Sequence, residues 1–596
     1  MRLIVPHRGE LQAPDERLQR LAEFLGIVCQ PLALPAGTSR PIPFFEKVAA
    51  EGDSCLVVNP GVIKSWLGAP GLPEDLGRCW TSRFRGLLVH NLNPDPFADS
   101  VVRALSGGGI DGIGLAEDKT SSYTISAAGR GITGPFTGLK FGPAHPGERG
   151  FEVRNGTLGV VPLISIAGRV SFAISTRETN RAFFLGGADI AELNSDVAGA
   201  QLADYFSQIV PPVMALRALC PDACWVPNRP HGTLIIDDPL LRKNYGFMNY
   251  ERLLALMDEY NFHTTIAFIP HNYRRSSPAV VRMFHARPDR LSICYHGNDH
   301  SGAEFSERNL GKLNAMLSLA ETRMGEHAIR TGVECNRVMV FPQGEFSPEA
   351  MASLQAHNFI AAVNTSPYAA GEAACLPLFQ VMQPAVQRFD GVPLFLRCYE
   401  RDFRSEDIAC HVFFGRPILI VEHHDIFQDP GSLIDLVSRI NELVPEMHWC
   451  PLQAAVSNSY LMRSAGEGVL AVRMFSPEGL LRNSADTATQ VSIEWEQAGS
   501  LIDKLFVNDA PAANGVRGDT RTSVRFYLAP GESSKFRIVF RNDLPDSGYH
   551  FGRKWKAKAL LRRRLSEFRD NYLSKNAGLL AVAKVLQRRF LGKVAG

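Results

Sequence analysis

Residues 233–239 read TLIIDDP, an apolar run that ends in two adjacent carboxylates and a proline. Five similar apolar runs follow it: TTIAFIP (264–270), LSICYH (291–296), VMVFP (338–342), FIAAVN (359–364) and PILIVEH (417–423). The segments between them, such as 250–260 and 310–325, repeat apolar residues at spacings of three and four, as amphipathic helices do. Repeated strand and helix units over residues 226–455 predict a barrel of parallel strands, whose active site gathers at the carboxyl ends of the strands.

The remaining chain predicts three further units around this barrel. With 596 residues it is too long for one core, because single cores stop growing at roughly 250–300 residues. Residues 1–225 begin with alternating strands and helices, which predicts a doubly wound α/β domain, loosely similar in layout to flavodoxin-like or amidotransferase-like domains. Residues 456–548 alternate short strands with Gly, Pro and Asn turns, which predicts a small antiparallel β-sandwich. Residues 549–596 are predicted to form a basic amphipathic helical tail.

Charge is distributed unevenly along the chain. The net charge is +2, but residues 553–596 hold 13 Lys and Arg against two acidic residues, which leaves the rest of the chain at −9. Apolar residues at helical spacing lie among these charges, so the tail is either a helix on an anionic membrane surface or a helix packed on the protein. The chain shows no nucleic-acid recognition motif, so no nucleic-acid partner is expected.

The sequence also indicates a cellular location. No apolar run reaches the roughly 18 residues that a membrane span needs, and the N-terminus turns charged too early for a secretory signal. The eleven cysteines are odd in number and scattered, several of them in apolar runs where buried thiols are usual. We therefore expect a cytoplasmic protein, with peripheral contact to the inner membrane face as an option for the tail.

The ends of the predicted barrel strands carry side chains that could bind a metal ion. In chain order these are Asp237, Asp238, His296, His300, His423 and His424. One carboxylate and two imidazoles can hold a divalent ion while leaving positions open, and a second carboxylate can serve as a base. Each piece alone could be a turn, a helix cap or a polar loop, but their order within one repeated unit favours a metal site.

These motifs resemble those of the polysaccharide deacetylases, also called NodB-homology or carbohydrate esterase family 4 domains, over about residues 230–430. LIIDD at 234–238 is similar to the first motif, HGNDH at 296–300 to the second, and VEH at 421–423 to the last. The resemblance implies the following roles: Asp237 as catalytic base, Asp238, His296 and His300 as ligands of one divalent ion, expected to be Zn²⁺, and His423 or its neighbour His424 as general acid.

Three departures from the family pattern indicate a divergent branch. Gly297 replaces the Ser or Thr whose hydroxyl steadies the second motif, and Pro239 stands where Gly is usual. The third motif reads VFPQ at 340–343 and lacks the arginine that would orient the base carboxylate. Gln343 or Glu345 is the expected substitute.

The implied activity is metal-assisted removal of N-acetyl or similar acyl groups from a carbohydrate, in bacterial exopolysaccharide or cell-surface glycan metabolism. Gln343, Glu345 and Arg274 are the candidates for substrate binding, although an arginine at position 274 is more often part of a solvated loop. Two alternatives remain on the same barrel. One is a glycosidase or other amidase, in which Asp237 with Glu345 or Glu422 flanks the sugar. The other is a non-catalytic carbohydrate-binding or scaffold protein that retains the metal site.

Overall fold

The structure is a computed structural model. It describes residues 1–575 apart from 36–40, 117–120, 155–158, 178–179, 198, 200, 390, 467, 497–498, 513–514, 520 and 542–547. The final part of the predicted tail, 576–596, lies outside the described residues. None of the described helices is long and apolar enough to cross a membrane.

The N-terminal region begins with a parallel sheet that is covered on both faces. Its strands are Arg2–His7, Val28–Ala33, Ser54–Val58 and Gly86–Val89. Alternate strand residues face opposite sides, so that Leu3 packs in one apolar core and Ile4 in another. The covering helices are Ala13–Phe24, Pro41–Ala50, Pro60–Leu67, Glu74–Arg83, Pro96–Ser106 and Phe206–Leu219. Up to about residue 106 strands and helices alternate along the chain.

The sheet then continues with antiparallel strands, so the predicted doubly wound domain covers only the first part of residues 1–225. The later strands are Ile110–Leu115, Tyr123–Ile125, Lys140–Phe141, Arg149–Val153, Val160–Ile166, Arg169–Arg177 and Asn180–Leu185. The reason is local: Ala167 and Gly168 alone join two of these strands, and both adopt positive φ (51° and 79°). Such two-residue turns produce antiparallel hairpins. The last strand pairs in parallel with Gly86–Val89 and joins the two halves.

The middle of the chain forms the predicted barrel-like sheet, in which every strand pair is parallel. Its strands are His231–Asp237, Thr264–Phe268, Leu291–His296, Cys335–Val340, Ala361–Asn364, Leu394–Leu396, Cys398–Tyr399 and Ile418–Glu422, with His448–Trp449 added beside the first. Its helices include Tyr250–Tyr260, Pro278–Ala286, Leu310–Thr331, Pro348–Ala356, Leu378–Met382, Ser405–Phe414, Gly431–Leu443 and Leu452–Ser457. All six predicted strands are present.

The two ends of the barrel sheet come together on either side of a single residue, so the ring of strands is nearly closed. Leu394–Leu396 pairs with Ala361–Asn364, and Cys398–Tyr399 pairs with Ile418–Glu422. These two short segments form the opposite ends of the sheet, yet only Arg397 separates them in the chain. Neither segment is predicted from the sequence. Arg397 therefore lies at the seam of the ring.

The C-terminal part contains two sheets with one parallel strand pair, whereas the sandwich predicted from the sequence is antiparallel. One sheet holds Val226–Pro227, Leu461–Ser464, Val469–Met474, Thr489–Trp495, Thr522–Leu528 and Gly515–Arg517, and the other holds Glu478–Arg482, Ser533–Phe540, Ile502–Val507 and Ala510–Pro511. Buried residues of both sheets, including Trp495 and Phe540, form the core between them. Val469–Met474 and Thr489–Trp495 pair in parallel. They can do so because the strand that lies between them in the chain, Glu478–Arg482, belongs to the second sheet.

The described part of the tail is helical and lies against the barrel. Helix Arg553–Phe568 continues into a short wider turn at Arg569–Leu573. Ala559, Arg563 and Asp570 are buried, whereas the apolar residues Leu561 and Leu565 are exposed. Residues 553–573 thus pack on the protein through one face and leave apolar residues exposed on the other.

Candidate active site

The three predicted metal ligands converge at the carboxyl ends of their strands. Their potential ligand atoms, from Asp238, His296 and His300, all lie within 4.8 Å of one another. The Nε2 atoms of His296 and His300 lie 3.6 Å and 3.5 Å from the same oxygen, Asp238 Oδ1. Asp238 and His300 both have positive φ (80° and 53°), a strained conformation for non-glycine residues that is concentrated at functional sites.

The donor set and its environment fit a divalent ion. Asp238 Oδ1 is buried and has no hydrogen-bond partner among the described residues, although two imidazoles point toward it. Tetrahedral Zn²⁺ ligands stand about 2.0–2.2 Å from the ion and hence roughly 3.3–3.5 Å from each other, close to the spacing here. Burial lowers the pKa of His296 to about 4, which keeps its imidazole neutral and able to ligate at pH 7.

A second set of contacts orients the two histidines. Nδ1 of His296 lies 3.0 Å from the Val340 carbonyl oxygen and can only donate to it, which turns Nε2 toward Asp238. The Glu304 carboxylate accepts the backbone N–H groups of Asn298 (2.6 Å) and His300 (3.1 Å), and that of Asp299 at 3.3 Å. One side chain therefore holds the loop that carries His300.

Glu304 also explains the glycine in the second motif. Gly297 has φ +65°, and a Cβ added there would collide with Oε1 of Glu304 and with the ring of Pro342. Ser or Thr at 297 would thus displace the carboxylate that binds the loop. The missing hydroxyl is replaced by Glu304, a role that the sequence analysis did not assign because the two residues are seven positions apart.

Asp237, the predicted base, is held by an arginine from the seam of the ring. Nη1 and Nη2 of Arg397 donate to its two carboxylate oxygens at 2.7 and 2.8 Å, and the two side chains are only 5% and 4% exposed. Burial alone would raise the pKa of Asp237, but Arg397 and His296 hold it well below its usual range. Asp237 is therefore ionised. The expectation that Gln343 or Glu345 replaces the missing arginine is wrong, because Arg397 makes this contact.

The two candidate general acids lie in different surroundings. His423 is partly exposed and close enough to Asp237 to contribute to its lowered pKa. His424 is buried and packs edge-on against Tyr245, with ring centroids 5.5 Å apart. Its Nε2 lies 3.6 Å from Oδ1 of Asp570, a residue of the C-terminal segment. His423 is thus the candidate that acts on Asp237, whereas the contacts of His424 are with Tyr245 and Asp570.

The predicted substrate-binding residues lie at the surface. Gln343 and Glu345 are exposed on the turn after strand Cys335–Val340, and Arg274 is 70% exposed and pairs with Glu326 at 3.1 Å. Glu422, the partner considered for a glycosidase, instead accepts the backbone N–H of Glu400 at 2.9 Å.

Comparison with solved structures gives matches of low identity. Agd3, a novel carbohydrate deacetylase, is 9% identical over 90% of this chain and 98% of its own, with a TM-score of 0.46. The family 4 carbohydrate esterase from Streptomyces lividans in complex with acetate is 12% identical over 37% of this chain and 91% of its own, with a TM-score of 0.24. A family 4 acetyl xylan esterase from Clostridium thermocellum in complex with a cobalt ion is 14% identical over 37% of this chain and 88% of its own, also with a TM-score of 0.24.

Two of these three structures are family 4 esterases, the family that the sequence motifs resemble, and all three matches have TM-scores below 0.5. No family model and no curated protein sequence matches the chain.

Proposed function

We propose that the chain is a metal-dependent hydrolase that removes N-acetyl or similar acyl groups from a carbohydrate. The observation that supports this most directly is the convergence of Asp238, His296 and His300 next to a second carboxylate, Asp237, that Arg397 holds in place. Ligands and base are thus separate groups, as metal-assisted hydrolysis requires.

Each group of site residues has its own role in the proposed reaction. A divalent ion on the three ligands would acidify a water molecule and polarise the acyl oxygen. Asp237 is ionised and accepts the proton of the attacking water, and Arg397 fixes the direction of its carboxylate. His423 or His424 donates a proton to the leaving amine. The pair Asp237 and Arg397 therefore sets the geometry of the first proton transfer.

The proposal is tested by metal analysis together with acetate release from acetylated glycans. We expect about one equivalent of metal, Zn²⁺ or a similar ion, and metal-dependent turnover. His296→Ala and His300→Ala should each lose metal and activity, while His285→Ala, in which a histidine bound to the Thr331 carbonyl is removed, should keep both. Metal content that is unchanged in both ligand variants would refute the site. Full metal content without turnover would favour a binding protein instead.

The cellular setting remains a proposal. An N-deacetylase of this kind would act on an exopolysaccharide or a cell-surface glycan from the cytoplasmic side. Arg274, Gln343 and Glu345 stay candidates for contacts with a long substrate, since all three are exposed. Substitution of each by Ala should raise KM without altering metal content.

We also propose that the tail binds an anionic membrane surface. The outer face of its described helical part exposes five large apolar or aromatic residues among its basic side chains: Leu560, Leu561, Leu565, Phe568 and Tyr572, each 51–68% exposed. Each basic residue near an anionic bilayer contributes on the order of 1 kcal/mol. We expect salt-sensitive sedimentation with phosphatidylserine vesicles and none with neutral vesicles. Leu561→Gln with Leu565→Gln should weaken it, and equal sedimentation of this variant would refute the proposal.

A further inference from the structure

The C-terminal segment, residues 553–573, is fixed to the rim of the candidate active site by polar contacts. Arg275 donates two hydrogen bonds to the carboxylate of Glu567, and both side chains are only 17% exposed. Oδ1 of Asn571 accepts the backbone N–H of Gly246 at 2.9 Å. The segment therefore has a defined position over the barrel.

Asp570 of this segment lies beside His424, one of the two candidate general acids. It is 3% exposed and accepts the hydroxyl of Tyr245 at 2.7 Å, and its Oδ1 lies 3.6 Å from Nε2 of His424. Burial would raise the pKa of Asp570, but His424 and Arg569 lower it to about 2, so the carboxylate is charged. The negative charge of Asp570 makes its contact with His424 favourable when no substrate competes for the imidazole.

The other nitrogen of His424 is also covered. Its Nδ1 is buried without a hydrogen-bond partner among the described residues and lies against Gly246, where an added Cβ would overlap it. An incoming amide can therefore reach this imidazole only at Nε2, the nitrogen that faces Asp570.

A second charged side chain of the segment reaches the ligand cluster. Arg563 is 6% exposed, its Nη1 lies 3.9 Å from Oδ1 of Asp238, and its Nη2 lies 3.4 Å from the His300 carbonyl oxygen. The segment thus places a cation, Arg563, beside the carboxylate of Asp238. It places an anion, Asp570, beside the imidazole of His424.

We propose that residues 553–573 are an intramolecular plug of the active site, with Asp570 and Arg563 occupying space that a substrate acyl amide would take. The inference rests on the proposed function in assigning a substrate to this space. Turnover then requires the segment to move, and the pair Arg275 and Glu567, away from the reacting groups, is the contact that retains it. Glu567 is part of the plug and Arg275 belongs to the barrel, so the pair can be broken from either side.

The first test measures access to the site without any turnover. Full-length protein loaded with Zn²⁺ is mixed with a chromogenic zinc chelator, and the rate of metal release is followed. Arg275→Gln and Glu567→Gln should each release metal about tenfold faster than the unaltered chain, the effect of losing charged hydrogen bonds that hold the closed form. Arg564→Gln, which removes an exposed charge from the same helix, is the matched control and should release metal at the original rate.

A charge reversal checks that the faster metal release comes from loss of the Arg275–Glu567 pair and not from misfolding. Arg275→Glu combined with Glu567→Arg should restore slow release, and hydrogen exchange of residues 553–573 should rise in the single variants only. Unchanged release and unchanged exchange in both single variants would overturn the plug.

Acetate release then separates the plug from the proposed function. Higher turnover in Arg275→Gln supports both. Faster metal release with no turnover in any variant supports the plug and contradicts the deacetylase. Lower turnover with unchanged metal content in Arg275→Gln and Glu567→Gln would mean that the segment belongs to the working site, and would overturn the plug.

Discussion

Replacing Arg397 by Gln should disable the base while leaving the ligand cluster in place. Arg397 donates at 2.7 and 2.8 Å to Asp237, and both side chains are almost fully buried. Removing one partner of a buried pair costs about 3–5 kcal/mol. At about 1.36 kcal/mol for each tenfold change in proton affinity, a loss of about 4 kcal/mol raises the pKa of Asp237 by about three pH units.

The direction of the change in pH dependence follows from the lowered pKa of Asp237 in the unaltered protein. In the unaltered protein the pKa of Asp237 is depressed, so its contribution to stability is present above about pH 3.9 and is lost as the pH falls toward the folded pKa. Without Arg397, the pKa of Asp237 rises out of its depressed range, and Asp237 becomes protonated at higher pH. The acid limb of kcat/KM should therefore move upward by about three pH units, and the difference in unfolding free energy should shrink in acid.

The assay is a pH profile of acetate release together with metal content and thermal unfolding. Arg401→Gln is the matched control, because Arg401 is an exposed arginine stacked on Tyr399, close to the seam in the chain. It should leave the profile unchanged. An acid limb in Arg397→Gln at the original pH, with metal retained, would show that Asp237 is not the titrating base.

Three further predictions concern the ligand cluster and its support. Asp237→Asn should keep metal and lose most activity, whereas Asp238→Asn should lose both; equal metal content would contradict the assigned roles. Glu304→Ala should weaken metal affinity at least tenfold by releasing the loop of His300, since residues that hold a metal ligand in place typically contribute about 10–100-fold, while Glu304→Gln, which keeps an acceptor oxygen, should retain most of the affinity by calorimetry. Gly297→Ser should lower the Tm and metal loading together, and normal loading would exclude the steric argument.

The sequence predicted the barrel well because each strand carries its own local signal. Strands such as Leu291–His296 are continuous apolar runs that end in polar residues, and parallel pairing places those ends at one edge. The candidate ligands Asp238, His296 and His300 could therefore be proposed from their positions at the strand ends.

The missed parts depend on contacts between distant residues. Leu394–Leu396 has only three residues, too few to show a period, and so Arg397 gave no signal although Asp237 lies 160 positions away. Ala167–Gly168 reverses the chain through local turn geometry that the apolar pattern around it hid. The tail showed a basic amphipathic pattern, but which surface it covers depends on Arg275, nearly 300 positions earlier.

The position of Arg397 also limits how the chain can change in length. It separates two strand segments that bond to opposite neighbours, so it joins the ends of the ring as well as holding a carboxylate. Side chains alternate between the two faces of a strand, so one residue gained or lost within 394–399 would turn Arg397 away from Asp237. Insertions elsewhere on the barrel can extend a loop and leave the chemistry intact. Here the same insertion would disturb ring closure and the base together, so this six-residue stretch has a fixed length.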